Sequence, residues 1–172
     1  TALLFAAANG HTETVQCLVA NGASLTEKNE NSSTALLCAA SNGRTKTVQW
    51  LLANGVSLAE KNWNGMTALL RAASNGHTET VQCLVANGAS LIEKNEKGDT
   101  ALLLAARGGH TETVQWLLNN GASLAEKNEN GSTALLIAAR NGHTEIAQWL
   151  SANGASLEAK ENMLSRTALL IA

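Results

Sequence analysis

The side chains in this sequence with the richest chemistry are four histidines and a set of glutamates that recur at fixed intervals, and three cysteines, two of which do. His11, His77, His110 and His143 would suit metal ligation, and Glu13, Glu79, Glu112 and Glu145 acid–base work, if the chain brought several to one point. Cys17, Cys38 and Cys83 are candidate nucleophiles or disulfide partners. The spacing argues against all three. Consecutive histidines such as His77 and His110 stand 33 residues apart at equivalent places, so stacking of the units separates them by about 8–10 Å. Zinc needs its ligands at roughly 2.1 Å. No metal site is expected, and each histidine, just after a turn glycine, reads as structural. Cys17 and Cys83 are two such spacings apart, beyond the roughly 7 Å limit on Cα separation for a disulfide. An odd number of cysteines suits a reducing compartment, and the three read as small core fillers. No glycine-rich phosphate loop, nucleophile elbow, Cys-x-x-Cys or His-Glu-x-x-His is present, and the glutamates sit in repeated surface positions. The expectation is a protein that is not an enzyme and takes no cofactor.

The elements that place these residues follow from a repeat. Thr-Ala-Leu-Leu begins at Thr1, Thr34, Thr67, Thr100, Thr133 and Thr167, a period of 33 residues until the last, which is 34. Asn-Gly followed by a small residue, Ser and Leu recurs at Asn21, Asn54, Asn87, Asn120 and Asn153, and residues 10–25 are identical to 76–91. The units run 1–33, 34–66, 67–99, 100–132 and 133–166, with a partial sixth at 167–172, and read as one array, a segment of a longer one. The extra residue falls in Glu161 to Arg166, where a loop absorbs it at little entropic cost.

Within a unit, Thr1 is a good N-cap, Leu3, Ala6 and Ala7 form an apolar stripe at helical spacing, and Asn9-Gly10 closes the helix. A second helix begins at Thr12 with Glu13 in its first turn, buries Val15, Cys17, Leu18 and Val19, and stops at Asn21-Gly22. The next ten or so residues are polar and read as a loop, with Leu25 pointing inward as a plug. Two such helices cannot bury their stripes alone, so neighbouring units must stack and share a continuous core.

Thr-Ala-Leu-Leu-x-Ala-Ala-x-x-Gly-His, then Val-Gln-x-Leu and Asn-Gly-Ala, at a period of 33 over the whole chain, resembles the ankyrin repeat. The resemblance implies an all-α solenoid of stacked antiparallel helix pairs with projecting hairpin-like loops and a concave face. Ala2 and Leu4 stand where the family carries Pro and His, which removes a threonine–histidine hydrogen bond and leaves the helix start to capping alone. Asn29, Asn62, Asn95 and Asn128 stand where the family's loop carries aspartate.

The implied work is protein–protein interaction: a scaffold binding a protein or peptide through the concave face and loop tips. Positions that vary between units mark the candidate contact. In the loops these are Glu30, Asn31 and Ser33, then Trp63, Asn64 and Met66, then Glu96, Lys97 and Asp99, then Glu129, Asn130 and Ser132. Near the end of the first helix Arg107 and Arg140 vary in the same way, and Arg71 is out of pattern beside Phe5, Cys38, Leu104 and Ile137. Trp63 and Met66 place large apolar groups in a loop whose other copies are polar, and tryptophan is enriched at binding hot spots. Trp50, Trp116 and Trp149 share a helical position with Cys17 and Cys83 and read as core packing.

A net charge of -2 and a pI near 6.1 disfavour nucleic acid as a partner, and no run approaches the ~20 apolar residues that span a bilayer. An intracellular, cytoplasmic location is expected. Asn31-Ser32-Ser33 and Asn130-Gly131-Ser132 match a glycosylation acceptor pattern that matters only after secretion. The alternative to a binding scaffold is a structural protein whose near-identical units stack head to tail into an extended or filamentous assembly.

Overall fold

The computed structural model describes residues 1–158; the insertion at 161–166 and the partial unit at 167–172 lie outside the described residues. The described chain is helical throughout its regular elements, in pairs. The first helices are α1 (Ala2–Asn9), α3 (Ala35–Ser41), α5 (Ala68–Ser74), α7 (Ala101–Gly108) and α9 (Ala134–Arg140). The second helices are α2 (Thr12–Ala20), α4 (Thr45–Ala53), α6 (Thr78–Ala86), α8 (Thr111–Asn119) and α10 (Thr144–Ala152).

Two compact units divide the chain. Thr1–Ser90 holds α1 to α6, with α1 against α3, α3 against α5, and α4 between α2 and α6; Leu91–Ala172 holds α7 to α10, with α7 against α9 and α8 against α10. In each unit the first helices form one layer and the second helices another, and each helix also packs on its own pair-mate.

Both helix ends are satisfied by the residues the sequence supplies. The Thr1, Thr67, Thr100 and Thr133 hydroxyls accept the N–H of Leu4, Leu70, Leu103 and Leu136 at 3.3–3.5 Å. At the other end Gly10 and Gly109 turn left-handed, at φ 77° each, and the second helices close as Schellman motifs, with Ala23 N–H donating to Leu18 O at 3.0 Å. Capping is not all that holds the helix start. Thr34 Oγ1 donates to Glu60 Oε2 at 2.5 Å, and Thr100 Oγ1 donates likewise to Glu126. A glutamate of the following loop thus accepts the hydroxyl's hydrogen bond, where the family resemblance implies a histidine partner.

The first helices α3, α5, α7 and α9 are buried over most of their surface, while α1 leaves Phe5 exposed. In α3 and α5 both leucines and the alanine pair are 0–1% exposed, each leucine contributing about 1.5–3 kcal/mol by leaving water. The second helices bury one narrow stripe, Val48 and Leu51 in α4 and Val81 and Leu84 in α6. That corrects the expectation for the cysteines and their neighbours: Cys17 is exposed, Cys38 and Cys83 are half-buried, and Leu18 and Val19 are half-buried. Trp50, Trp116 and Trp149 are half-buried, and so is Leu25.

Hydroxyls tie the second helices together within a unit. Thr12 and Thr47 meet at 2.8 Å and Thr45 and Thr80 at 2.9 Å. Where Ile146 replaces the partner threonine, the Thr111 hydroxyl donates to Glu145 instead, at 3.1 Å. The histidines bridge neighbouring pairs. His77 Nε2 lies 3.1 Å from Ser41 O, and His143 Nε2 lies 3.0 Å from Arg107 O, each a donor to the end of the preceding first helix. Arg44 breaks the histidine series in sequence but not in function, since its Nε donates to Ala8 O at 3.0 Å. The ring of His77 lies so close that a Cβ on Gly43 would sit 2.7 Å from it. Glycine is required there both by its φ of 66° and by this approach.

Candidate functional site

Each loop folds on one asparagine. Asn95 Oδ1 accepts the N–H of Lys97 and Asp99, both at 2.9 Å, while Asn95 N–H donates to Asp99 O at 3.1 Å. Asn29, Asn62 and Asn128 repeat the pattern. The amide oxygen does what a carboxylate would do, and the family's aspartate is dispensable for the tight tip. Tips of successive loops are joined through the backbone, Glu129 N–H to Lys97 O at 3.2 Å and Trp63 N–H to Asn31 O at 3.5 Å. This fixes the register of the residues that project from them.

The expected contact residues divide by burial. Glu30, Asn31, Trp63, Lys97, Glu96, Glu129, Asn130 and Arg140 are exposed, and Arg71 is half-buried. Trp63, at 62% exposure, projects from its loop rather than folding back onto it. Ser33, Met66, Asp99 and Ser132 are buried instead, Met66 at 9% and Asp99 at 0% exposure, so their expected place on the contact surface is corrected. They share the position just before the capping threonine, where the chain turns inward to start the first helix. The variation there reflects different packing in each unit, not freedom at the surface.

In Leu91–Ala172 the variable residues of two loops and of α7 converge. Lys97, Asp99, Arg107, Asn128, Glu129 and Asn130 line a hollow of about 500 Å³. Five of these were expected from the sequence; Asn128 was not, because its identity with Asn29, Asn62 and Asn95 marks it as scaffold. At the floor, Arg107 Nη1 and Nη2 donate to Asp99 Oδ2 and Oδ1 at 2.6 and 2.9 Å, and Asn128 Nδ2 donates to Asp99 Oδ1 at 2.9 Å. Burial pushes the Asp99 carboxyl up, but hydrogen bonds from Arg107 and Asn128, the Arg107 charge and Asn95 outweigh it and hold the group below its ordinary value. The carboxylate stays ionised and fixes the guanidinium, whose side chain remains 41% exposed at the wall. A bidentate clamp of this kind presents a planar donor in a set orientation.

The arrangement suits recognition. Among the described residues no three His, Cys, Asp or Glu side chains come together as a metal site would require. Burial raises the Cys38 thiol above its ordinary value despite the charge of Arg71, and burial likewise raises Cys83, so neither is an activated nucleophile. No helix among the described residues is long and apolar enough to cross a membrane.

A family model described as ankyrin repeats matches the chain in three overlapping copies, at residues 3–95, 55–129 and 90–161. No curated protein matches it significantly.

Proposed function

The chain belongs to the ankyrin-repeat family, whose members are generally protein–protein interaction modules, and from that premise we propose that it binds a protein or peptide through its loop tips and the adjoining ends of its first helices. The contact centres on the hollow in Leu91–Ala172, with Lys97, Glu129 and Asn130 at the rim and the clamped Arg107 in the wall. One observation carries this reading: residues that vary between otherwise near-identical units meet at one recess around a preorganised guanidinium. Preorganisation reduces the ordering cost of binding, and arginine with a fixed plane is a frequent anchor at interfaces. The partner side chain most suited to the wall is a carboxylate or a backbone carbonyl, accepting from N–H groups that Asp99 leaves unused. Trp63 adds a separate apolar anchor in Thr1–Ser90.

Selection of binders from a displayed random-peptide library, followed by titration against the Lys97→Ala, Glu129→Ala, Asn130→Ala triple variant, tests the assignment. Binding weakened by tenfold or more, about 1.4 kcal/mol, is the expected result; peptides that bind the variant as they bind the parent overturn it. End-to-end self-association is a second reading, favoured by Phe5, which is 73% exposed where Leu104 and Ile137 at the same repeat position are 6% and 1% exposed. Light scattering across a concentration series, with Phe5→Glu as control, distinguishes the two: mass that grows in the parent and not in the variant supports association.

A further inference from the structure

The sequence contains eleven Asn-Gly dipeptides, the pairing in which a backbone nitrogen, unhindered by any following Cβ, can most readily attack the preceding side-chain amide. The structure sorts them into two chemical classes. Nine stand at helix ends. In eight of these the asparagine Nδ2 donates to the carbonyl four residues earlier at 2.7–2.9 Å, as Asn54 does to Trp50 and Asn120 to Trp116. In the ninth, Asn75 Nδ2 donates to Ser41 O at 2.7 Å. Each of these amides is held by its leaving nitrogen, and that bond must break before a ring can close.

The other two, Asn64-Gly65 and Asn130-Gly131, stand at loop tips. Both asparagines are exposed, and their backbone N–H groups are engaged, by Asn62 and Asn128, while their side-chain amides make no hydrogen bond among the described residues. The glycine N–H is hydrogen-bonded in both classes, Gly65 to Asn62 O at 3.0 Å and Gly131 to Asn128 O at 2.9 Å, as Gly22 is to Val19 O at 3.0 Å. The glycine therefore does not separate the classes; the side-chain amide does.

We propose that Asn64 and Asn130 are modification sites, at which spontaneous deamidation converts the loop tips to aspartate and isoaspartate while the nine helix-end asparagines are protected. The nitrogen of Gly65 or Gly131 loses its proton and attacks the asparagine Cγ, forming a five-membered imide. The Cγ–Nδ2 bond breaks and Nδ2 leaves as ammonia, carrying the proton. Water then opens the imide at one or the other carbonyl, giving aspartate or, with the backbone lengthened by a methylene, isoaspartate. No reactant besides water is needed. Each event adds one negative charge, at Asn130 on the rim of the hollow beside Glu129, and at Asn64 next to Trp63. The inference is independent of any partner.

The test is peptide mapping by mass spectrometry, with enzymatic methylation to reveal isoaspartate, on the folded protein aged at mildly alkaline pH. The denatured chain is aged in parallel. The expected result is conversion confined to the peptides containing residues 64 and 130 in the folded protein and spread over all eleven sites in the denatured one. Asn64→Gln and Asn130→Gln should each abolish the product at their own tip and leave the other unchanged. Conversion at the helix-end sites as fast as at the tips overturns the proposal, and so does a folded protein whose tips stay intact while the denatured chain reacts.

Discussion

Replacing Arg107 with alanine should cost more than replacing its partner Asp99 with asparagine, although both changes remove the same bidentate ion pair. Bonds to charged groups contribute about 1.5–3 kcal/mol each. Because the arginine is 41% exposed, solvent screening lowers their sum, and we expect a coupling of about 2 kcal/mol in a double-mutant cycle. The asymmetry arises from burial. Arg107→Ala strands a carboxylate that is 0% exposed and retains only asparagine donors, for a loss of about 2–3 kcal/mol. Asp99→Asn frees an arginine that can reach water, for about 1–2 kcal/mol.

Acid distinguishes the two further. The Asp99 carboxyl is held below its unfolded value in the parent, so it contributes stability above roughly pH 3.9 that is lost as pH falls through the folded value. With Arg107 gone, burial is opposed only by the Asn128 and Asn95 hydrogen bonds, and the carboxyl rises from its value in the parent. The variant then has less carboxylate stabilisation to lose than the parent, and the Arg107→Ala deficit relative to the parent should shrink on acidification. Urea unfolding of the four proteins, followed by tryptophan fluorescence at neutral pH and near pH ~4, gives both numbers. A coupling below about 0.5 kcal/mol, or an Arg107→Ala deficit that deepens in acid, would refute the reasoning.

Other outcomes follow from the same geometry. Arg44→His should leave stability within about 0.5 kcal/mol, because either side chain donates to Ala8 O, while Arg44→Ala should lose about 1 kcal/mol in thermal or urea melts. Gly43→Ala and Gly55→Ala both place a side chain at positive φ, for about 1–2 kcal/mol, but only the first meets the His77 ring. Gly43→Ala should therefore be the more destabilising in the same melts. Met66→Ala should cost about 2–4 kcal/mol as a core truncation, whereas Trp63→Ala should change stability by no more than about 0.5 kcal/mol.

The helix pairs were legible because capping threonines, alanine-leucine stripes and Asn-Gly stops all repeat in phase, and each has a local physical cause. The second helices were less so. Cys17 and Val19 lie beside the packed stripe, which in α2 reaches the interior only at Val15, and Leu18 is half-buried there although its counterparts Leu51, Leu84, Leu117 and Leu150 are 0% exposed. At the candidate site, variation between units was read as surface exposure, which held for Lys97, Glu129 and Asn130 and failed for Asp99 and Met66. A signal for Asp99 was present: it is the only aspartate in the chain, eight residues before Arg107. The Thr34–Glu60 and Thr100–Glu126 bonds had no such signal, since a glutamate repeated in a polar loop has the look of a solvated charge until the fold brings it against the preceding helix cap.

The claim that a partner docks at the loop tips is tested most directly by amide hydrogen exchange, with and without a peptide selected for binding. The account predicts new protection at residues 96–99 and 128–131 and at the C-terminal turn of α7. Protection confined to the outer faces of α8 and α10, with the tips exchanging as in the free protein, would contradict it.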